Sequence, residues 1–171
     1  HLPGLATFRF ANVEEVTAIG EATVDPELLG DAYRRSVLPF VLQAFGLEVL
    51  HASAVVTARG VVAFCAHSET GKSTIAYGLN RRGHPQWADD SVVFRAESGM
   101  VTTIPVPFRV RLRHASWLYF SRDGEPPEAP ESDEAQLGRH PTPLAVVFVL
   151  ERAGCSGMSA VEMTRASAGD A

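Results

Sequence analysis

A short apolar run, Val61 to Cys65, leads into the string AHSETGKST at residues 66 to 74, and a helically spaced stretch from Ser73 to Arg82 follows. Few architectures accommodate that order. Five apolar residues without polar alternation suit a buried strand, and they are too few for a core helix. Ile75, Ala76 and Leu79 fall on the inner face of the following helix, and Gly83 supplies its C-terminal stop. The connection must turn strand into helix within a few residues, with Gly71 where the backbone comes closest to a ligand. The expected class is therefore α/β.

A loop of this kind has a specific chemical use. Backbone N–H groups turned inward cradle phosphate oxygens, an ammonium reaches the β- and γ-phosphates, and a hydroxyl binds Mg²⁺. Ser68, Glu69, Thr70 and Gly71 would form the cradle, Lys72 the ammonium and Ser73 the metal-side hydroxyl, with Thr74 toward the α-phosphate. The expected ligands are ATP and Mg²⁺. Of 15 cationic residues, 14 are Arg, and the single Lys is Lys72. A compact ammonium suits a phosphate oxygen at that point. The usual pattern places Gly where Ala66 stands, and often where Glu69 stands. Glu69 brings a carboxylate near a polyphosphate, either pointing away or weakening its binding.

Around the loop the chain reads as one domain, 1–171, with 1–46 a small β/α portion packed on a 47–171 core. Phe8, Phe10, Val13, Val16 and Ile19 alternate as in short strands. Pro26 to Phe45 is helical, and Pro39 predicts a kink or two short helices. Leu47 to Val56 is a strand carrying His51, Ser91 to Arg95 another, and Leu144 to Leu150 a third. Thr102 to Leu112 is extended, so Arg109, Arg111 and Arg113 would share one face. They are read either as a solvated face or as an anion-recognition stripe. The polar stretch 122–143 is read as a mobile loop, its acidic side chains solvated or closing over the site. The chain begins at His1, and a helix N-cap at Ser167 has almost nothing behind it, so the sequence reads as part of a longer chain.

Leu50-His51-Ala52-Ser53-Ala54-Val55 before the loop, Arg82-Gly83-His84 at the helix end, and Ala88-Asp89-Asp90 beyond it form a larger pattern. This order resembles the HPr kinase/phosphorylase family over about 45 residues, from Leu50 to Phe94. It is most similar to a compact bacterial branch that accompanies lasso-peptide and other peptide-maturation clusters. The resemblance implies a fold related to phosphoenolpyruvate carboxykinase, a mixed twisted sheet with flanking helices. It also implies an ATP-dependent kinase acting on a hydroxyl, most simply a serine of a peptide or protein. Lys72 and Ser73 would hold phosphates and Mg²⁺, Asp89 would take the proton from the attacking hydroxyl, and Asp90 would act on the metal side. His51 would lie near the Asp pair and tune it. The family's later glycine-rich signature and its separate N-terminal domain have no counterpart here, which argues against a phosphorylase activity and against HPr as acceptor. The family assembles as oligomers, so a homo-oligomer is a further expectation.

Two other readings stay open: a non-catalytic nucleotide sensor or scaffold whose loop has decayed at Ala66 and Glu69, and a small-molecule kinase or nucleotide hydrolase on the same frame. The net charge of −5 argues against a nucleic-acid partner. No apolar run reaches the roughly 18 to 20 residues of a membrane span, and no signal-peptide layout opens the chain. Two cysteines, Cys65 and Cys155, support neither a disulfide framework nor a zinc site, so a cytoplasmic location is expected. His67 is read as solvent-facing and His84 as a structural helix-end residue.

Overall fold

The computed structural model describes residues 1–12, 14–20, 23–121 and 139–151. Val13, most of the polar stretch (122–138), Cys155 and the helix start expected at Ser167 lie outside the described residues. Nine strands and four α-helices are found among those described: β1 (Ala6–Phe10), β2 (Val16–Gly20), α1 (Pro26–Ala32), α2 (Leu38–Ala44), β3 (Glu48–Leu50), β4 (Ala52–Thr57), β5 (Gly60–Cys65), α3 (Lys72–Asn80), β6 (Gln86–Ala88), β7 (Val92–Glu97), β8 (Met100–Ile104), α4 (His114–Phe120) and β9 (Thr142–Val149). β1 and β2 form a separate antiparallel hairpin. The other seven make one mixed sheet in the order β3-β7-β8-β9-β5-β4-β6. Only β5 and β9 run parallel within it. The α/β class is as the sequence predicts, and the mixed sheet is as the family resemblance implies.

Alternation along β4 and β5 feeds two layers of core. Ala52, Ala54, Val61 and Ala63 pack with Trp87, Ala88 and Val92 on one face. Val55 and Phe64 meet Ala76 of α3 on the other. A strand buried on both faces must be apolar throughout, which explains the unbroken runs in the sequence. β7 and β8 are joined through Ser98 and Gly99, both at positive φ (51° and 80°), as a tight two-residue hairpin demands. β5 opens at Gly60 with φ +119°, and a Cβ there would lie 2.4 Å from the carbonyl oxygen of Pro143. No larger residue fits where β9 crosses β5.

The Pro26–Phe45 segment divides into two short helices, as Pro39 predicts, and the join is a π-helical turn, Tyr33–Val37. Pro39 has no N–H to return to the Arg35 carbonyl, and the chain widens there, with Leu38 N–H donating to Tyr33 O. Asp25 caps α1 through the Glu27 N–H at 2.9 Å, with Pro26 in the first turn.

Three expectations need correction. The Leu47–Val56 strand is two strands broken at His51, because β3 pairs with β7 whereas β4 pairs with β5 and β6. Ile75 is 38% exposed rather than on the inner face of α3. That helix starts at Lys72, and its buried side runs through Lys72, Ala76 and Tyr77. Regular pairing also ends at Ile104, since Pro105 and Pro107 cannot donate to a ladder. Arg109, Arg111 and Arg113 therefore lie on an irregular segment instead of one strand face.

Candidate active site

The turn from β5 into α3 is built by backbone conformations that suit few residues. Gly71 precedes the helix at φ +109°, and Glu69 adopts φ +72°, which is unusual for a side chain of its size. Lys72 opens α3, is buried to 7% exposure, and donates from Nζ to the carbonyl oxygen of Ala66 at 3.1 Å. Its ammonium thus stays inside the curve of the loop. Gly83, also at positive φ, closes the far end of α3, with Gly83 N–H on Asn80 O and His84 N–H on Leu79 O. That is a Schellman closure, and exposed His84 occupies its last position.

β6 delivers the acidic pair to the same end of the sheet. Asp89 is 5% exposed and accepts three hydrogen bonds: Ser53 Oγ on Oδ1 at 2.6 Å, Ser73 Oγ on Oδ1 at 2.7 Å, and the Arg111 N–H on Oδ2 at 3.0 Å. Burial pushes its carboxyl above the ordinary range. The bonds from Ser53, the Arg111 amide and Ser73 pull it back, and the neighbouring Asp90 adds a further push upward. Asp90 sits at φ +68°, a second left-handed residue at the site. Its carboxylate faces Arg35 of the π-helical turn at 3.3 Å, and its carbonyl oxygen lies 2.9 Å from His51 Nδ1. The structure thus brings Lys72, Ser73 and Asp89 together, while His51 touches Asp90 through the backbone only.

Beside the loop opens a cleft of about 900 Å³ lined by Ser68 to Ile75, His51, Asp90, Arg35 and the segment around Arg111 and Arg113. The three arginines of that segment are committed to carboxylates. Arg109 pairs with Glu27 at 2.6 Å, Arg111 with Asp31, and Arg113 with Glu69 at 2.8 Å. Two of the pairs tie α1 to the core. The third places a guanidinium over the loop. Thr74 Oγ1 meets Ser116 Oγ of α4 at 2.8 Å, which fixes α4 beside the first turn of α3.

An oxygen-binding divalent cation fits this donor set. Mg²⁺ takes one or two carboxylates and completes its shell with water and substrate phosphates. Ser73 and the adjacent acidic pair supply such oxygens. Among the described residues no three acidic, His or Cys side chains cluster closely enough to hold a metal alone, so bound phosphates would have to share the ion. Cys65, at the end of β5, is a free thiol whose pKa burial raises and Lys72 lowers.

Four participants were not singled out from the sequence: Ser53, Arg35, the Arg111 N–H and Ser116. Ser53 carried a signal, being the only polar side chain between Ala52 and Val56 and two residues beyond His51. Arg35 and Ser116 carried none, because tertiary folding alone brings them to the cleft.

No protein-family model matches this sequence, and no curated protein matches it. Among solved structures it is similar to the HPr(Ser) kinase/phosphatase from Coxiella burnetii, with 25% identity, a TM-score of 0.31, and an overlap covering 35% of this chain and 36% of that one. The chain thus spans about a third of that protein's length. Among the described residues no helix is long and apolar enough to cross a membrane.

Proposed function

We propose that the chain is an ATP-dependent kinase that transfers the γ-phosphoryl group to a hydroxyl, most simply a serine of a peptide or protein. The observation that carries this reading is the 2.7 Å bond from Ser73 Oγ to Asp89 Oδ1 at the mouth of the Lys72 loop. It couples the hydroxyl that would meet a metal to a buried carboxylate, with an ammonium one residue away. Phosphoryl transfer requires in-line positioning, charge neutralisation and one proton acceptor, and this cluster offers groups for each. The sequence pattern from His51 to Asp90 points to the same chemistry.

Lys72 and the N–H groups of residues 68–74 would hold the phosphates, with α3 adding its positive end. Mg²⁺, when bound, would neutralise charge on the β- and γ-phosphates. Asp89 would receive the acceptor's proton as its oxygen attacks phosphorus and the bond to the β-phosphate oxygen breaks. A carboxyl raised by burial is a better base at neutral pH than an exposed one. Among the described residues Oδ2 accepts the Arg111 N–H alone, which leaves a lone pair for that proton. His51 would hold Asp90 in its left-handed conformation, and Asp90 would serve the metal side.

One observation favours a second assignment within the same reaction. Asp90 lines the open cleft, whereas Asp89 faces inward to Ser53 and Ser73. In that assignment Asp89 orients Ser73 toward the metal and Asp90 takes the proton. Calorimetry with ATP and Mg²⁺, followed by phosphotransfer to a serine-containing peptide, separates the possibilities. Lys72→Ala should abolish binding. Asp89→Asn should remove transfer while retaining binding if Asp89 is the base, and Asp90→Asn should do so in the second assignment. Absence of ATP binding up to millimolar concentration would sink the kinase reading altogether.

A further inference from the structure

A second opening of about 560 Å³ lies between α3 and α4, and among its lining residues are Thr74, Ile75, Gly78, Arg81, Tyr119 and Phe120. Thr74 and Ile75 border both spaces. The volume lies within the range of small-molecule clefts, about 300 to 1,000 Å³.

The direction of the phosphate chain decides what would enter there. Lys72 marks the β- and γ-phosphates and Thr74 the α-phosphate, so the nucleoside leaves the loop past Thr74. On the other side, beyond Lys72 and Ser73, the cleft is bordered by Asp90, His51 and Arg35, which are polar and charged. The Thr74 side sets aliphatic and aromatic side chains beside two arginines, Arg81 and Arg82. Ile75 is 38% exposed, and Tyr119 is 63% exposed and braced edge-on against Phe120 at 5.1 Å. Phe120 in turn packs edge-on against Tyr77 at 4.8 Å. Gly78 faces the Phe120 ring, where a Cβ would stand in ordinary contact at 3.4 Å. The Thr74–Ser116 hydrogen bond ties the two helices together at the entrance. Exposed Arg82 lies at the far end, where a guanidinium can cover an aromatic face.

We infer that the α3–α4 groove is the nucleobase subsite, with the base of a nucleoside triphosphate held between Ile75 and Tyr119. Among the described residues, neither Ile75 nor Tyr119 belongs to the buried core, so both are available to a ligand. The inference rests on the loop binding a nucleotide, as proposed above.

The test compares MgATP with inorganic tripolyphosphate, by calorimetry on the full chain and on its Tyr119→Ala and Ile75→Gln variants. The wild type should bind ATP at least about tenfold more tightly than tripolyphosphate. Each substitution should weaken ATP by roughly five- to 100-fold, the range for loss of one stacked base, and leave tripolyphosphate unchanged. Unchanged tripolyphosphate binding also shows that the variant is folded. A photoreactive azidoadenosine triphosphate should label peptides from residues 74–82 or 114–121. Equal affinity for the two ligands, variants that leave ATP binding intact, or labelling confined elsewhere would overturn the subsite while leaving the phosphate loop standing. If the wild type binds neither ligand, the nucleotide reading fails and the subsite falls with it.

Discussion

Replacing Ser53 by Ala tests whether the buried carboxylate is held as an anion. Ser53 is 0% exposed, and its Oγ donates to Asp89 Oδ1 at 2.6 Å. A hydrogen bond to a charged group contributes about 1.5–3 kcal/mol, and Oδ1 keeps Ser73 as a second donor, so the lower part of that range applies. The expected loss is about 1.5–2 kcal/mol at pH 8, or roughly 4–7 °C in thermal midpoint for a domain of this size. The pH dependence follows from the direction of the Asp89 shift. Its carboxyl is raised by burial, so its stabilising contribution is present below about pH 4 and is lost as pH rises through the folded-state value. Ser53 offsets part of that loss, and removing it pushes the carboxyl higher still. The variant's deficit should therefore be full at alkaline pH and shrink as acidification protonates Asp89, when the lost bond becomes an ordinary one of about 1 kcal/mol. Urea unfolding across that pH range, followed through the buried Trp87, measures the difference. A deficit that stays constant or grows in acid would refute the claim that this hydroxyl stabilises the anion.

Gly60→Ala should cost at least about 3 kcal/mol, because φ is +119° and the new Cβ would meet the Pro143 carbonyl at 2.4 Å. A thermal midpoint within a few degrees of wild type would show that β5 and β9 are farther apart than described. Glu69→Gly should stabilise by about 1 kcal/mol by relieving φ +72°. It should also tighten MgATP binding by roughly threefold, since a carboxylate near the phosphates is removed. Weaker binding in that variant would mean that the Glu69–Arg113 pair supports the loop rather than opposing the ligand.

The parts of the fold legible in the sequence are those where one residue type has one physical use. Val61 to Cys65 is apolar because β5 is covered on both faces, and Gly83 stops α3 because the Schellman closure needs a left-handed residue. Pro39 predicted the division of Pro26–Phe45, although not the π-helical turn that carries it out. The sequence was silent where the deciding partner is distant in the chain. His51 looked like a strand residue because apolar neighbours flank it on both sides. The break there comes from β3 and β4 pairing with different strands, and periodicity does not encode the choice of partner. The arginine stripe failed for a related reason. The alternation at Arg109, Arg111 and Arg113 is real, but Pro105 and Pro107 end the ladder, and Glu27, Asp31 and Glu69 then claim the side chains singly.

The candidate site shows the same division, and it bears on how Glu69 and Asp90 are to be understood. Lys72 and Ser73 were legible from the loop motif, whereas Asp89 was marked only through the resemblance of its Ala-Asp-Asp turn to a known family. The left-handed backbone of Glu69 and Asp90 was not legible, because neither residue type announces it. Two of the three non-glycine residues at positive φ among those described stand at one cleft, and each is anchored by a cation from a different part of the chain, Arg113 for Glu69 and Arg35 for Asp90. A left-handed conformation costs a non-glycine residue about 1–2 kcal/mol, so it persists only where the surroundings hold it. The third, Ser98, needs only its hairpin. At the cleft, long-range ion pairs supply the restraint, and phosphate arriving at the loop would compete for the guanidinium of Arg113. On the proposed reading, the loop's resting shape and its affinity for phosphate would be coupled through Glu69, the residue standing where glycine is often found.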